Sequence, residues 1–429
     1  MEEMKGPRLA GAASAPPGDG LRVVSLSTVY PSARLPWQGL FVERRLASVP
    51  GLAGARVVAP APWFPLASRP RAGFRPPLPR REVVGGRSVE RPRFLSLPRF
   101  GKALDGPSLF LRLLPVLRRL RREEPVDVLD AHFVYPEGFA AVLLGRMLDL
   151  PVVLTLRGVL GQIVGFPVRR AEAAFALRAA DRVIALSESL REMAAALGRP
   201  AERIALVPNA VDGELFASVE RDEARGRLGL TGPGPRLLFV GTASPRKGLE
   251  RVVDALPDLA ARWPGIELLV VGGAGAERSS PAALRRRARR AGVGDRLTFV
   301  GARPPEELAA WYSAADLFVL PSRLEGSPNA LLEALACGTP AVATPVGEIP
   351  EVLAASGGGL LARPEGDLAP VLGEALSREW DRRAMRNWAV GRRWPDVGAA
   401  VLEQLRGAVA DHAQRRAREA RTVAPEAAR

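Results

Sequence analysis

Two carboxylates eight positions apart, Glu325 and Glu333, frame the stretch of sequence whose residue types best suit ligand chemistry. Between them stands Gly326-Ser327-Pro328-Asn329, and a serine followed by proline is a strong signal for the start of a helix. We therefore predict that Ser327 is the N-cap and that Pro328 is the first helical residue. Glu325 then lies just outside the helix, and Glu333 lies about two turns inside it.

The predicted helix runs over 328–337, and Gly338 ends it ahead of a proline. The free backbone N–H groups of its first turn and the helix dipole favour an anion at its mouth. An anion seat with one carboxylate at the mouth and another along the helix suits a sugar joined to a diphosphate. An isolated pair of glutamates also arises by chance, but the apolar neighbours of Glu333 indicate a buried helix, where an unpartnered carboxylate is costly.

A second candidate phosphate contact is the turn Gly241–Gly248, which follows a predicted strand and leads into a helix. Gly241 lets the backbone approach a ligand closely, and Arg246 and Lys247 supply cations. Basic turns of this kind are common, so this signal is weak alone. We expect the turn to lie at the same sheet edge as Glu325 and Glu333, which strengthens both assignments.

The elements that must position these residues alternate between short β-rich runs and helical stretches. In the first half, strands are predicted at 21–26, 55–59, 126–131, 151–156 and 182–186, with a strand pair within 82–97 and helices at 109–122, 138–148 and 169–179. In the second half, strands are predicted at 237–240, 267–271, 297–300, 317–320 and 341–344, with helices at 247–262, 280–291, 305–314 and 328–337.

This alternation predicts an α/β protein with two doubly wound, Rossmann-like parallel sheets, whose lobes face a deep crevice at the carboxyl ends of the strands. The predicted organisation is a flexible N-terminus over 1–20, a first lobe over 21–205, a second lobe over 206–385, a C-terminal helix crossing back to the first lobe over 386–410, and a flexible tail over 411–429. A length of 429 residues agrees with two domains.

The composition excludes several other classes of protein. No stretch reaches the roughly 18 apolar residues of a membrane span, and the N-terminus lacks the apolar core of a signal peptide. We expect a cytoplasmic protein, and contact with the inner face of the cell membrane stays open because the helix at 109–122 is basic and amphipathic. A solvated face is the alternative for that helix, which Pro115 would interrupt.

With one cysteine, Cys337, and two histidines, the chain offers no cluster with metal-ligand spacing, so we expect no metal and no cofactor. Gly272-Gly273-Ala274-Gly275 lacks the spacing of a dinucleotide fingerprint. The net charge of +15 favours polyanions. With 6% aromatic residues and no recognition motif, a nucleic-acid partner is not expected.

Taken in order along the chain, these motifs resemble the retaining GT-B glycosyltransferases that share an E-x7-E pair, a family that includes sucrose synthase, glycogen synthase and the phosphatidylinositol mannosyltransferases. The resemblance covers about 21–405, and the E-x7-E pair stands here as Glu325 and Glu333. The other matching segments are VPNAVD (207–212), FVGTASPRKG (239–248), ACGTPAVAT (336–344) and VGEIPEVL (346–353). In the first lobe, residues 131–158 resemble the branch that builds cell-surface polysaccharides, such as the teichuronic-acid-type transferases.

The resemblance implies a nucleotide-sugar donor, held by the second lobe, and a glycan or lipid-linked acceptor, bound by the first lobe. Lys247 would contact the donor diphosphate, Glu333 the ribose hydroxyls and Glu325 the sugar hydroxyls. The backbone of Gly326, Ser327, Pro328 and Asn329 would hold sugar and phosphate through its N–H groups, of which proline has none.

In the first lobe, the resemblance implies that Gly39 closes over the diphosphate. Arg157 stands where many relatives have a histidine near the anomeric carbon, and His132 would lie at the crevice toward the acceptor. A structural role is the alternative for both side chains.

This chain departs from the family pattern at Thr242, where an arginine is frequent, and at Glu348, where glycine is usual. Val159-Leu160 replaces a small polar residue and an aspartate, and Ala210 replaces a glycine. Arg246 is the candidate that could supply the cation missing at Thr242. Two other functions stay open at this point: a sugar-nucleotide epimerase on the same fold, and a non-catalytic binder of polyanions.

Overall fold

The computed structural model describes residues 20–52, 54–64, 78–97, 99–273 and 281–423. These residues fall into two compact units. The first unit contains the described residues up to Pro208 together with those from Pro395 onward, and the second unit is Asn209–Trp394. The chain changes unit after Pro208, close to the predicted limit at 205, and after Trp394, within the segment 386–410 that was predicted to cross back. The predicted flexible N-terminus lies outside the described residues except for Gly20.

The first unit is built on an eight-stranded sheet. Its strands and helices are β1 (Val23–Leu26), α1 (Leu40–Ser48), β2 (Arg56–Val58), β3 (Ala61–Trp63), β4 (Arg81–Val84), β5 (Arg87–Glu90), β6 (Arg93–Leu95), α2 (Asp105–Glu123), β7 (Val128–His132), α3 (Phe139–Leu148), β8 (Val152–Leu156), α4 (Leu160–Ile163), α5 (Pro167–Ala179), β9 (Arg182–Ala185), α6 (Glu188–Ala196) and β10 (Ile204–Leu206).

The strand order in this sheet is β10-β9-β8-β7-β1-β2-β5-β4, and only the β4–β5 pair is antiparallel. Strands β3 and β6 form a separate parallel pair. The central strands β1, β7 and β8 are buried along their whole length because both faces of a parallel sheet are covered. Pro115 lies inside α2 and does not interrupt it, since its ring is on the exposed face and only one intrahelical hydrogen bond is lost.

The second unit contains a six-stranded parallel sheet in the order β13-β12-β11-β14-β15-β16. Its elements are α7 (Arg221–Leu228), β11 (Arg236–Val240), α8 (Leu249–Arg262), β12 (Glu267–Val271), α9 (Pro281–Arg290), β13 (Leu297–Gly301), α10 (Pro305–Ala314), β14 (Leu317–Leu320), α11 (Asn329–Ala336), β15 (Ala341–Ala343), α12 (Ile349–Ser356), β16 (Gly359–Leu361), α13 (Ala369–Ser377) and α14 (Arg382–Val390). The predicted α/β class with doubly wound parallel sheets is confirmed.

The last helix, α15 (Trp394–Val423), belongs to the first unit from Pro395 onward. On this helix, Val401, Leu405 and Ala408 are buried against one face of the first sheet. They share a hydrophobic cluster with Val23, Val128 and other residues. The single helix predicted over 386–410 is in fact α14 followed by α15.

The flexible tail predicted from 411 is wrong as far as Val423, because that segment is helical. Ion pairs join Arg182 to Asp411 at 2.8 Å and Arg416 to Asp149 at 2.9 Å, and His412 Nε2 lies within hydrogen-bond distance of Asp149 Oδ1, at 2.9 Å.

Candidate functional site

The candidate residues of the second unit follow two strands that are neighbours in the sheet but not in the chain. The turn Gly241–Gly248 follows β11, and residues 321–329 follow β14. Because β12 and β13 extend the sheet on one side and β15 and β16 on the other, the strand order reverses between β11 and β14. Ligands of doubly wound sheets bind at the carboxyl ends of the strands at such a reversal.

The structure brings Lys247 and Glu325 together at this edge. Lys247 Nζ lies 2.6 Å from Glu325 Oε1, and an Arg246 guanidinium nitrogen lies 3.4 Å from Glu325 Oε2. The same Arg246 nitrogen donates to the Leu324 carbonyl at 2.6 Å, and the Arg323 N–H donates to the Arg246 carbonyl at 2.7 Å. The turn after β11 and the loop after β14 are thus joined by both side-chain and backbone bonds.

Glu325 is nearly buried, with 7% of its surface exposed. Burial alone would raise the pKa of this carboxyl, but the charges of Lys247 and Arg246 and the Lys247 hydrogen bond outweigh it and hold the pKa below its ordinary value. The carboxylate is therefore ionised at neutral pH. Two cations and one anion leave an excess of positive charge beside the loop.

Lys247 lies in a short 3-10 turn, Pro245–Lys247, rather than in the predicted helix over 247–262, which begins at Leu249. Gly248 separates the two with φ 65°, and a Cβ there would stand 2.2 Å from the Pro321 carbonyl oxygen. Only glycine allows this turn to pack against the start of the β14 loop.

Gly241 ends β11 with φ 142°, and a Cβ on the neighbouring Gly272 would lie 1.9 Å from the Gly241 carbonyl oxygen. The backbones that leave β11 and β12 are therefore in close contact. Thr242 is exposed, and Arg246 and Lys247 are the cations that the structure brings to Glu325.

The predicted start of α11 is wrong by one residue. The helix begins at Asn329, Pro328 is the N-cap, and Ser327 does not cap it. Pro328 makes no side-chain cap and the first turn holds no acidic residue. The N–H groups at the mouth consequently face no side-chain carboxylate of their own helix, which keeps the mouth suited to an external anion.

Ser327 does not cap the helix because Asn209 engages it. The Asn209 N–H donates to Ser327 Oγ at 3.3 Å, and its amide Nδ2 donates to the Ser327 carbonyl at 3.0 Å and to Asn329 Oδ1 at 2.8 Å. Sequence reasoning recognised the segment VPNAVD but gave Asn209 no role. The motif marks Asn209 in the sequence, but it does not reveal that its hydrogen-bond partner, Ser327, lies more than a hundred residues away.

The loop after β15 lies directly against the loop after β14. Gly347 has φ 62°, and a Cβ there would meet the Gly326 carbonyl oxygen at 2.4 Å and the Glu325 carbonyl oxygen at 2.8 Å. The next residue, Glu348, donates its N–H to the Gly326 carbonyl at 2.8 Å. Its buried carboxylate forms an ion pair with Arg392. Burial raises the pKa of Glu348, although the charge of Arg392 opposes that rise.

Glu333 is half-buried on α11, and its Oε2 accepts a hydrogen bond from the Tyr312 hydroxyl at 2.9 Å. Tyr312 has no exposed surface. Burial and the neighbouring Glu333 both raise the pKa of Tyr312, which keeps its hydroxyl protonated as a donor. Tyr312 was not predicted, because in the sequence it is one more large residue on the apolar face of α10.

In the first unit, His132 and Arg157 stand at the ends of the neighbouring strands β7 and β8. His132 Nδ1 lies 3.2 Å from an Arg157 guanidinium nitrogen, and its Nε2 lies 3.1 Å from Asp130 Oδ2. Since a guanidinium only donates, Nδ1 accepts and the proton of the neutral ring is on Nε2, toward Asp130. Burial lowers the pKa of His132 in spite of Asp130.

His132 has no exposed surface and Arg157 has 4%. The expectation that His132 reaches toward an acceptor therefore does not agree with its position; it instead holds Arg157, whose guanidinium also lies 4.5 Å from the Phe41 ring centroid. Gly39 precedes α1 with φ 77°, and a Cβ there would stand 2.5 Å from the Val29 carbonyl oxygen. Gly39 is thus required for the backbone path between β1 and α1.

Among the residues that the structure describes, no group of three His, Cys, Asp or Glu side chains is arranged to hold a metal ion. Within those same ranges, none of the helices combines the length and the apolar content of a membrane span.

Two family models match adjacent parts of the chain. "Glycosyltransferase Family 4" matches residues 56–215, and "Glycosyl transferases group 1" matches residues 234–379. The chain is also similar to proteins named D-inositol 3-phosphate glycosyltransferase. That of Segniliparus rotundus is 39% identical over 37% of this chain and 36% of its own length, and that of Nocardia farcinica is 34% identical over 54% of this chain and 53% of its own length. The chain thus matches about a third to a half of these relatives.

The fold is shared with solved structures of low sequence identity. Sucrose-phosphate synthase from Thermosynechococcus elongatus matches with a TM-score of 0.66 at 22% identity, covering 94% of this chain and all of the other. Anabaena HepE, solved in complex with UDP and glucose, matches with a TM-score of 0.67 at 19% identity, covering 90% of this chain and 99% of the other. Together with the two family models, which cover most of the chain, these likenesses confirm the resemblance found in the sequence: the chain belongs to the group 1 glycosyltransferases with the GT-B fold.

Proposed function

We propose that this protein transfers a hexose-type sugar from a nucleoside diphosphate sugar to a hydroxyl group of an acceptor, with retention of the anomeric configuration. The observation that carries the proposal is the contact of Lys247 and Arg246 with Glu325 beside the mouth of α11. It combines cations, a carboxylate and backbone N–H groups at the reversal of the second sheet, which is the chemistry that a sugar diphosphate requires.

In the proposed reaction the diphosphate leaves and negative charge grows on its departing oxygen. Lys247 and the N-terminus of α11 stabilise this charge, as fixed cations and dipoles do most effectively in a site shielded from water. A bound diphosphate takes over Lys247 from Glu325, and the freed carboxylate then accepts hydrogen bonds from the sugar hydroxyls. Because protein cations neutralise the diphosphate, we propose that neither metal nor cofactor is needed.

Retention is proposed because the E-x7-E family resemblance implies a front-face route. Arg157 is the candidate group of the first unit near the anomeric carbon, with His132 and Asp130 holding it. We propose Glu333 as the ligand of the ribose hydroxyls, with Tyr312 orienting it. The backbone of 326–329 holds sugar and phosphate, and Gly39 and Gly241 allow the backbone to approach them.

The names of the relatives guide the choice of substrates. HepE is described in complex with UDP-glucose, and the curated relatives carry D-inositol 3-phosphate in their name. We propose a uridine diphosphate sugar as the first donor to test. The acceptors to test are a phosphorylated polyol and, in addition, a glycan or lipid-linked saccharide, as the family resemblance implies.

We further propose a cytoplasmic location with peripheral contact to an anionic membrane through α2. Leu111 is 67% exposed on this helix and Leu104 is 55% exposed just before it, beside the exposed Arg112 and Arg118. Co-sedimentation with vesicles tests this contact: binding should require anionic lipid and should be lost in Arg112→Glu/Arg118→Glu.

A thermal-shift panel of nucleotide sugars tests the proposed activity first, since a specific donor raises the melting temperature by mass action. The donor that raises it most is then incubated with each acceptor, and proton NMR of the product reports the anomeric configuration. An inverted product contradicts retention, and release of an epimerised nucleotide sugar without acceptor supports the epimerase instead.

A further inference from the structure

A buried acid lies beside the anion seat of the second unit. Glu348 is 6% exposed, and its N–H donates to the Gly326 carbonyl, in the middle of the loop that we propose as the donor site. Gly347, with its α-carbon packed against the carbonyls of Glu325 and Gly326, fixes the acid at this position. A carboxylate here lies next to the same loop as an incoming diphosphate, and like charges at short range in a buried site repel strongly.

Arg392 compensates this acid. Its guanidinium forms an ion pair with Glu348 Oε1, and its side chain is 19% exposed in the pair. The guanidinium also lies 5.3 Å from the ring centroid of Trp388, and the Arg392 carbonyl accepts from the Val211 N–H at 3.1 Å. The Trp388 ring thus packs against the guanidinium, and the Val211 hydrogen bond holds the backbone from which the Arg392 side chain extends.

We propose that Arg392 is a positioning residue for donor binding: its ion pair with Glu348 neutralises an acid that would repel the donor diphosphate. This inference rests on the proposed function and adds a positioning residue to it. In this chain the acid and its counter-ion form a matched pair, so the loss of one is repaired by the loss of the other.

The test is the affinity for UDP and for inorganic pyrophosphate, measured by calorimetry at pH 8.5, because burial raises the pKa of Glu348 and an alkaline solution favours its ionised form. We expect Arg392→Ala to weaken both affinities by about tenfold or more. Arg392→Lys should stay within about threefold of wild type because the charge remains. The double variant Glu348→Gln/Arg392→Ala should also recover to within about threefold, since the repelling charge is gone.

Arg386→Ala is the matched control. Arg386 lies on α14 and donates to the Ala336 carbonyl at 2.9 Å, at the end of α11 remote from its mouth. It should bind both probes as wild type does. A merely structural role of Arg392 predicts that the double variant stays as weak as Arg392→Ala or becomes weaker, and that outcome overturns the proposal, as does an unchanged affinity of Arg392→Ala.

The same experiment distinguishes a failure of the proposed function from a failure of the inference about the ion pair. If wild type binds neither UDP nor pyrophosphate, the proposed function itself is wrong. If wild type binds both and the Glu348→Gln change does not rescue Arg392→Ala, only the inference about the ion pair is wrong.

Discussion

The hydrogen bond between the Tyr312 hydroxyl and Glu333 can be tested by removing a single hydroxyl group. Tyr312→Phe keeps the buried ring and removes only the hydrogen bond to Glu333 Oε2. Hydrogen bonds to a charged group contribute about 1.5–3 kcal/mol, so we expect UDP affinity to fall by roughly 10-fold or more, measured by calorimetry. The control is Tyr30→Phe, a buried tyrosine of the first unit, which should leave UDP affinity unchanged. Equal affinity of Tyr312→Phe and wild type would show that Tyr312 does not orient Glu333.

The raised pKa of Glu172 predicts how the stability of the folded protein depends on pH. Burial raises the pKa of Glu172 from 4.5 to about 7, although Tyr135 and Arg169 favour its ionised form. Between these two values the folded protein holds a proton that the unfolded chain has lost. The stability from this group is therefore complete below about pH 4.5 and is lost as the pH rises through about 7.

Glu172→Gln removes this titration. We expect the melting temperature of the variant, relative to wild type, to rise between pH 5 and pH 8. Melting curves at unit steps of pH measure it, and a constant difference between the two proteins across that range would contradict the assignment.

At the scale of elements, the approach of the β15 loop to the β14 loop depends on Gly347. Gly347→Ala places a methyl group 2.4 Å from the Gly326 carbonyl oxygen, so the loop must shift. Gly357→Ala is a close control, because Gly357 has φ 60° against 62° at Gly347 but has no atom within 4 Å of the added Cβ. Both variants pay the strain of a left-handed backbone, of the order of 1 kcal/mol.

Only Gly347→Ala should also lose UDP affinity, by about tenfold or more, because only it displaces the backbone of 325–326. Calorimetry with UDP measures both variants. If they lose the same affinity, the contact between the two loops has no part in donor binding.

How far these elements could be predicted from sequence depended on the range of the interactions that define them. The strand at 267–271, the helix at 305–314 and the strand at 317–320 were predicted to the residue, because buried parallel strands and amphipathic helices are local patterns. The start of α11 was predicted one residue early, because Ser327 is engaged by Asn209, which is remote in sequence. Helices α1 and α12 were not predicted, and the segment from 411 was assigned to a tail because its ion-pair partners Asp149 and Asp181 lie far upstream.

The candidate site was predictable in part for the same reason. Motif spacing identified Lys247 and Glu325, which the structure joins at 2.6 Å. Tyr312, which hydrogen-bonds Glu333, and Arg392, which pairs with Glu348, come from other elements and carry no motif. The burial of His132 also could not be read from the sequence, since it follows from α1 and from the neighbouring strand β8.

At the scale of the whole molecule, the chain returns to its first unit through α15, and Leu405 is at the centre of that contact. It has no exposed surface and shares a core with residues from β1, β7 and β8, such as Val23, Val128 and Val153. Leu405→Ala should cost the first unit about 2–5 kcal/mol, a drop of roughly 5–15 °C in its melting temperature.

Scanning calorimetry can follow this loss, with Arg406→Ala, an exposed neighbour on the same helix, as a control that should melt as wild type. UDP present at saturation should still raise the melting temperature of the second unit in Leu405→Ala, because the loop that we propose as the donor site belongs to Asn209–Trp394. A wild-type melting temperature in Leu405→Ala would show that α15 does not stabilise the first unit.

The most direct test of the account is the affinity for UDP of wild type, Lys247→Ala and Glu333→Ala, measured by titration calorimetry. Lys102→Ala, a lysine of the first unit on a 3-10 segment, controls for the loss of a positive charge. We predict that wild type and Lys102→Ala bind alike and that Lys247→Ala and Glu333→Ala each bind at least about tenfold more weakly. Wild-type affinity in both of the latter variants would contradict the claim that the edge of the second sheet between β11 and β14 holds the nucleotide diphosphate.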